Sequence, residues 1–133
     1  MAEKRAMNLR SLQDSTEEFA SKATALSNRL MEVEQFLQQL PSKMPVEVSL
    51  GDNVLSFKRW GGSWRLTFGV HHEECGVIDA PIGIKSTAAQ LLPELINELM
   101  TNITGHLVEV DLGLEALDSI PSLSSKVVDL EDI

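Results

Sequence analysis

Histidine, carboxylate and thiol groups crowd into one short stretch, His71-His72-Glu73-Glu74-Cys75. Side chains of these types could hold a metal or run nucleophilic chemistry. A zinc centre needs three or four ligands converging on one point. Successive residues of a strand point to opposite faces, so this run offers two ligands at most. A second ligand cluster is missing and His106 stands by itself. A reactive thiolate needs a positive surrounding, whereas Glu73 and Glu74 precede Cys75. The stretch therefore reads as a polar turn, with Cys75 a small, partly buried residue. No nucleophile–base pair and no carboxylate dyad at defined spacing is present, so no enzyme, metal or cofactor is expected.

Lys58, Arg59, Trp60, Trp64 and Arg65 form the basic-aromatic cluster of the chain. Trp and Arg are frequent binding hot spots. Lys58, Trp60 and Arg65 could capture an anionic metabolite or nucleotide, the ring stacking and the two cations meeting phosphate. In the competing reading Glu47 offsets Lys58 within the sheet, and Arg59 lies against Trp64 at the edge of the core. Gly61-Gly62 between the tryptophans is a hairpin turn and resembles no phosphate loop. Asn102-Ile103-Thr104 matches a glycosylation acceptor but falls within a helical pattern.

Three kinds of element must position these groups. Leu9, Leu12, Thr16, Phe19, Ala23, Leu26, Leu30, Val33, Leu37 and Leu40 recur in alternating steps of three and four. That is a heptad seam on one long helix, which Pro41 ends. From Val46 the period changes to two. Strands are expected at about 46–50, 54–60 and 63–70, joined by Asp52-Asn53 and Gly61-Gly62. That register lines up Leu50, Leu55 and Phe68 on an apolar face, then Val48, Phe57 and Leu66. It sets Glu47, Lys58 and Arg65 together on a wet face. A fourth short strand is expected near Val77–Asp79. Thr87 and Gln90 have capping-box spacing before a second run, Leu92, Ile96, Leu99, Ile103, His106, Val110, Leu114 and Leu117. Pro93 bends or delays its first turn and Pro121 ends it.

The expected fold is α+β: a long N-terminal helix, a three- to four-stranded antiparallel meander and a long C-terminal helix. It forms a single domain over 1–133, with a loose acidic tail at 122–133. The sheet is too short to cover both helical stripes, so a homodimer with a helical bundle is expected. Leu12, Phe19, Leu26, Leu30, Val33 and Leu37 would carry the self-association.

The net charge of −9 is uneven. Residues 1–72 hold eight acids and nine Lys/Arg, and residues 73–133 hold twelve acids with only Lys85 and Lys126. Nucleic-acid binding needs clustered cations and is not expected. No apolar run is long enough to span a bilayer. The charged segment Met1–Arg10 does not read as a secretory signal, and one cysteine fits a reducing compartment, so the cytoplasm is expected. Glu94, Glu98, Asp111, Glu115 and Asp118 are spaced to share faces of the second helix and could meet a basic protein partner. The expected role is a non-enzymatic, dimeric interaction module of adaptor, chaperone or inhibitor type. Size, acidity and helix–sheet–helix order are broadly similar to small acidic secretion chaperones and phage-encoded inhibitors, although the long first helix departs from the former.

Overall fold

The computed structural model describes residues 2–120, with side chains from Asn8 onward. The expected acidic tail at 122–133 lies outside the described residues. The order is α1 (Ala2–Gln38), β1 (Val46–Leu50), β2 (Asn53–Trp60), β3 (Ser63–Val70), β4 (Glu73–Gly76) and α2 (Ile82–Asp118). The expected α+β class holds. Two compact units divide the chain, residues 1–98 and residues 99–133. The first contains α1, the sheet and α2 as far as Glu98, and the second contains the rest of α2.

The four strands form one antiparallel sheet in sequence order. Gly61 and Gly62 both have positive φ, which gives β2 and β3 a tight two-residue turn. The resulting register pairs Leu55 with Phe68, Phe57 with Leu66, and Lys58 with Arg65, as the side-chain alternation predicts. The β1 register differs from expectation by two residues. Gly51 (φ 62°), and not Asn53, supplies the left-handed residue of the first turn, so Leu50 pairs with Asn53 and Val48 with Leu55. A shift of two keeps each side chain on its face, but it moves Glu47 opposite Ser56 and away from Lys58.

The fourth strand also lies earlier than Val77–Asp79. His71 and His72 both take positive φ, 49° and 73°, and close a two-residue turn, so Glu73 pairs directly with Val70. A left-handed conformation costs a side-chain-bearing residue about 1 kcal/mol. Val77 makes one last ladder bond, its N–H to the Leu66 carbonyl at 3.0 Å. The chain then leaves the sheet through turns at Asp79 and Ala80.

Helix α2 begins five residues before the capping-box signal. The Pro81 carbonyl accepts the Lys85 N–H at 3.0 Å. Thr87 and Gln90 lie inside the helix, bonded to the Gly83 carbonyl and the Ser86 hydroxyl. The buried stripe of the first unit is Ala88, Leu91, Leu92 and Leu95, with Ile96 left partly exposed. Pro93 sits within the helix and leaves the Ala89 carbonyl without its helical donor.

The core lies on the apolar side of the sheet. Leu55, Phe57, Leu66 and Phe68 are essentially inaccessible, and Leu30 and Leu37 of α1 are buried with them. Phe57 and Trp64 pack with ring centroids 5.3 Å apart, and Arg59 stands opposite Trp64 across β2 and β3. Truncating such a residue to alanine costs about 2–5 kcal/mol.

Two polar residues fix α1 on the sheet. Pairing of β3 with β4 ends at Thr67–Gly76, so the edge of β3 beyond it lacks a strand. Buried Glu34 accepts the Leu66 N–H at 2.9 Å, and Gln38, one turn on, donates to the Trp64 carbonyl at 2.7 Å. The helix thus completes the ladder by side chains where β4 has ended. Replacing Glu34 by alanine leaves a buried N–H unpaired, at a cost of about 1.5–3 kcal/mol. Urea unfolding should show that loss for Glu34→Ala and a smaller one for Glu34→Gln, which keeps an acceptor. Glu32→Ala, on the exposed side of the same helix, serves as the reference. Equal losses for Glu34→Ala and Glu32→Ala would contradict the role given to Glu34.

Candidate functional site

The polar face of the sheet carries most of the residues whose chemistry the sequence singles out. Thr67 and Ser56 face each other across β3 and β2 and are both buried. The expected wet face is therefore dry at its centre. Glu74 on β4 supplies the reason. One oxygen, Oε1, receives the Thr67 hydroxyl and the Lys58 ammonium, each at 2.7 Å. Those donations, Lys58 first and then Thr67, hold the Glu74 carboxyl below its ordinary range, against the opposing effect of burial.

Lys58 and Arg65 stand opposite each other, as expected, but Glu47 does not neutralise them. Lys58 pairs with Glu74, and the Arg65 guanidinium reaches Asp79 at 3.5 Å. Gly76 lies beneath Trp60 and Arg65, where an added Cβ would sit 3.7 Å from the indole and 3.8 Å from the guanidinium. The basic-aromatic residues thus do come together, yet each of the two cations already has a carboxylate. An anion arriving here competes with Glu74 for Lys58 and with the exposed Asp79 for Arg65.

A shallow depression of about 400 Å³ lies on the same face, bordered by Glu47, Asp52, Lys58, His71, His72 and Glu74 among others. His71 approaches Asp52 at 3.8 Å, with both side chains exposed. Among the described residues no three His, Cys, Asp or Glu side chains converge as a metal site requires. Cys75 is half-buried, its thiol near the Phe68 carbonyl at 3.7 Å. Burial, and then the charge of Glu74, pushes the thiol pKa up, away from the thiolate that nucleophilic chemistry needs.

The helical candidates divide. Leu30 and Leu37 belong to the chain's own core, and Leu26 and Val33 are half-buried. Leu12 and Phe19 are about 60% exposed, as is Leu9. In the first unit an apolar hollow of about 460 Å³ runs along this seam, between Phe19, Ala23 and Leu26 of α1 and Ile82 and Gly83 of α2. Glu94, Glu98, Asp111, Glu115 and Asp118 are all exposed.

The second unit exposes a further apolar surface. Leu107, Val108, Val110, Leu112, Leu114 and Leu117 of α2 are each more than half exposed. They lie among Glu109, Asp111, Glu115 and Asp118, with no Lys or Arg from 99 to 120. The alternating steps at Ile103, Leu107, Val110, Leu114 and Leu117 carried this signal in the sequence. Among the described residues no helix is long and apolar enough to cross a membrane.

No known protein family, curated protein or solved structure matches this chain.

Removing the cation should move Glu74. In Lys58→Met the Glu74 pKa rises toward the ordinary carboxylate value near 4.3, partly restrained by Thr67, as carboxyl carbon NMR would record. Because the folded-state value is depressed, this pair contributes stability above the unfolded carboxylate pKa. The contribution disappears as pH falls through the folded pKa. Wild type should therefore lose more stability than Lys58→Met over that acidic window. An unmoved Glu74 titration would refute the pairing.

Proposed function

We propose that this chain is a non-enzymatic protein-interaction module that self-associates, as a dimeric adaptor or a chaperone- or inhibitor-like protein. An acidic face of α2 then serves a basic protein partner, and the cytoplasm is the proposed location. The observation that carries the reading is the exposed apolar run Leu107–Leu117 on an acidic helix. A soluble monomer rarely leaves a contiguous apolar stripe of this size uncovered. This part of the helix is also a poor one by itself. Gly105 and Gly113 each cost about 1 kcal/mol against alanine. Asp111 and Glu115, and Glu115 and Asp118, are like charges at helical neighbour spacing. Helices derive most of their stability from packing, so a covering partner is the economical account of this one. The ligand-binding alternative on Lys58, Trp60 and Arg65 is not favoured, because carboxylates already meet both cations.

Sedimentation velocity tests the first part. Wild type should travel with twice the mass of one chain, and Leu107→Asp with Leu114→Asp should reduce it to one. Both residues are exposed in the single chain, so Trp60 and Trp64 fluorescence should stay that of the folded sheet. A wild-type monomer at tens of micromolar, a concentration at which ordinary specific dimers persist, would defeat the proposal. For the partner face, Glu115→Lys with Asp118→Lys should abolish capture of a basic partner while leaving the sheet intact.

A further inference from the structure

We infer that the exposed seam of α2 in one copy is covered by the N-terminal half of α1 from a second copy, and not by a second α2. The inference rests on the self-association proposed above and specifies its contact.

Three observations carry it. The first is matched length and period. Residues 8–29 of α1 span about 33 Å and residues 99–118 of α2 about 30 Å at 1.5 Å per residue, and most of both stretches is exposed, Leu99 being buried. Each repeats its apolar residues in steps of three and four: Leu9, Leu12, Thr16 and Phe19 on one, Leu107, Val110, Leu114 and Leu117 on the other. Seams of equal period supercoil together along their whole length. Leu9, Leu12 and Phe19, like the α2 residues, remain exposed in the single chain, so both seams are open.

The second observation is charge. Residues 99–120 hold Glu109, Asp111, Glu115 and Asp118 and no Lys or Arg. Two such helices side by side would bring eight carboxylates together with no cation to offset them. Residues 8–29 of α1 hold Arg10, Lys22 and Arg29 against Asp14, Glu17 and Glu18. Lys22 and Arg29 are tied only to Glu18 and Glu32 of their own helix, at 2.8 and 3.5 Å. Those pairs are at least two-thirds exposed on average, and exposed pairs of this kind hold weakly. Both cations are free to turn to a facing carboxylate.

The third is shape. The hollow beside Phe19, Ala23 and Leu26 opens on the α1 seam and is apolar over most of its surface, with Glu18 and Lys22 also bordering it. It provides the hole into which a leucine of a facing helix can insert.

Two single-cysteine chains test the pairing, both carrying Cys75→Ser. One has Thr16→Cys and the other Val110→Cys, near the middle of each stretch, at exposed positions where folding is not at risk. Each is treated with a short bis-maleimide alone, and again after co-refolding as an equal mixture, with sedimentation run on the same samples. The expected result is a cross-linked dimer in the mixture and little in either chain alone. Cross-linking of Val110→Cys by itself, or of Thr16→Cys by itself, would overturn the pairing in favour of like-with-like contacts. So would a dimer that cross-links in no sample, or a native particle from the expressing cells in which a foreign basic chain takes the place of the second copy on α2. In those cases a dimer by sedimentation leaves self-association standing. A monomer in every sample would remove both ideas.

Discussion

The fold turns on the edge of β3 that β4 does not reach. A buried strand edge with unpaired N–H and C=O groups is costly. Here α1 relieves it with side chains, Glu34 to the Leu66 N–H and Gln38 to the Trp64 carbonyl. The spacing of four puts both on one helix face, and the adjoining positions of that face, Leu30 and Leu37, enter the core. One short segment of α1 thus does two jobs: it closes the sheet and caps the hydrophobic layer. Farther from the sheet α1 meets α2 at Ser27, whose Oγ accepts from the Lys85 ammonium at 3.0 Å. The α1 seam runs on through Phe19, Leu12 and Leu9, all exposed.

The opposite side of the sheet follows a different logic. Lys58 and Arg65 face each other, an arrangement that repels. Glu74 on β4 and Asp79 after it bring the opposing charges. The two-residue turn at His71-His72 makes this possible, because it returns the chain in register so that Glu74 stands beside Gly69 and within reach of Lys58. The backbone strain of two left-handed histidines and the ion pair they permit belong to one device. On the same strand burial, and then the charge of Glu74, raises the Cys75 pKa.

The acidic half of the chain and the uncovered helix are also connected. Lys58 and Arg65 of the sheet each meet a carboxylate, and α1 carries six acids against five Lys and Arg. The largest part of the surplus negative charge lies on α2, six acids against Lys85, beside its exposed leucines and valines. An apolar stripe edged by one sign of charge selects its cover: hydrophobic contact drives association, and electrostatics chooses among the available helices.

What the sequence determined by itself is what depends on near neighbours. The period of two in Leu55, Phe57, Trp64, Leu66 and Phe68, with Gly61-Gly62 between, is enough to set the β2–β3 register, because side-chain alternation and turn chemistry agree. The three-and-four steps marked both helices for the same reason. The tertiary structure decided everything set by which residue among equals takes a place. Gly51 took the turn that Asp52-Asn53 could also have made, since glycine adopts positive φ without a Cβ clash. Glu74 took the partnership expected of Glu47, because a strand not legible from apolar pattern carries it. Along α1 the seam is continuous in sequence, yet only Leu30 to Leu37 lies where the sheet can reach. A helical stripe records that it must be covered, and only the packed structure shows which part the chain covers itself.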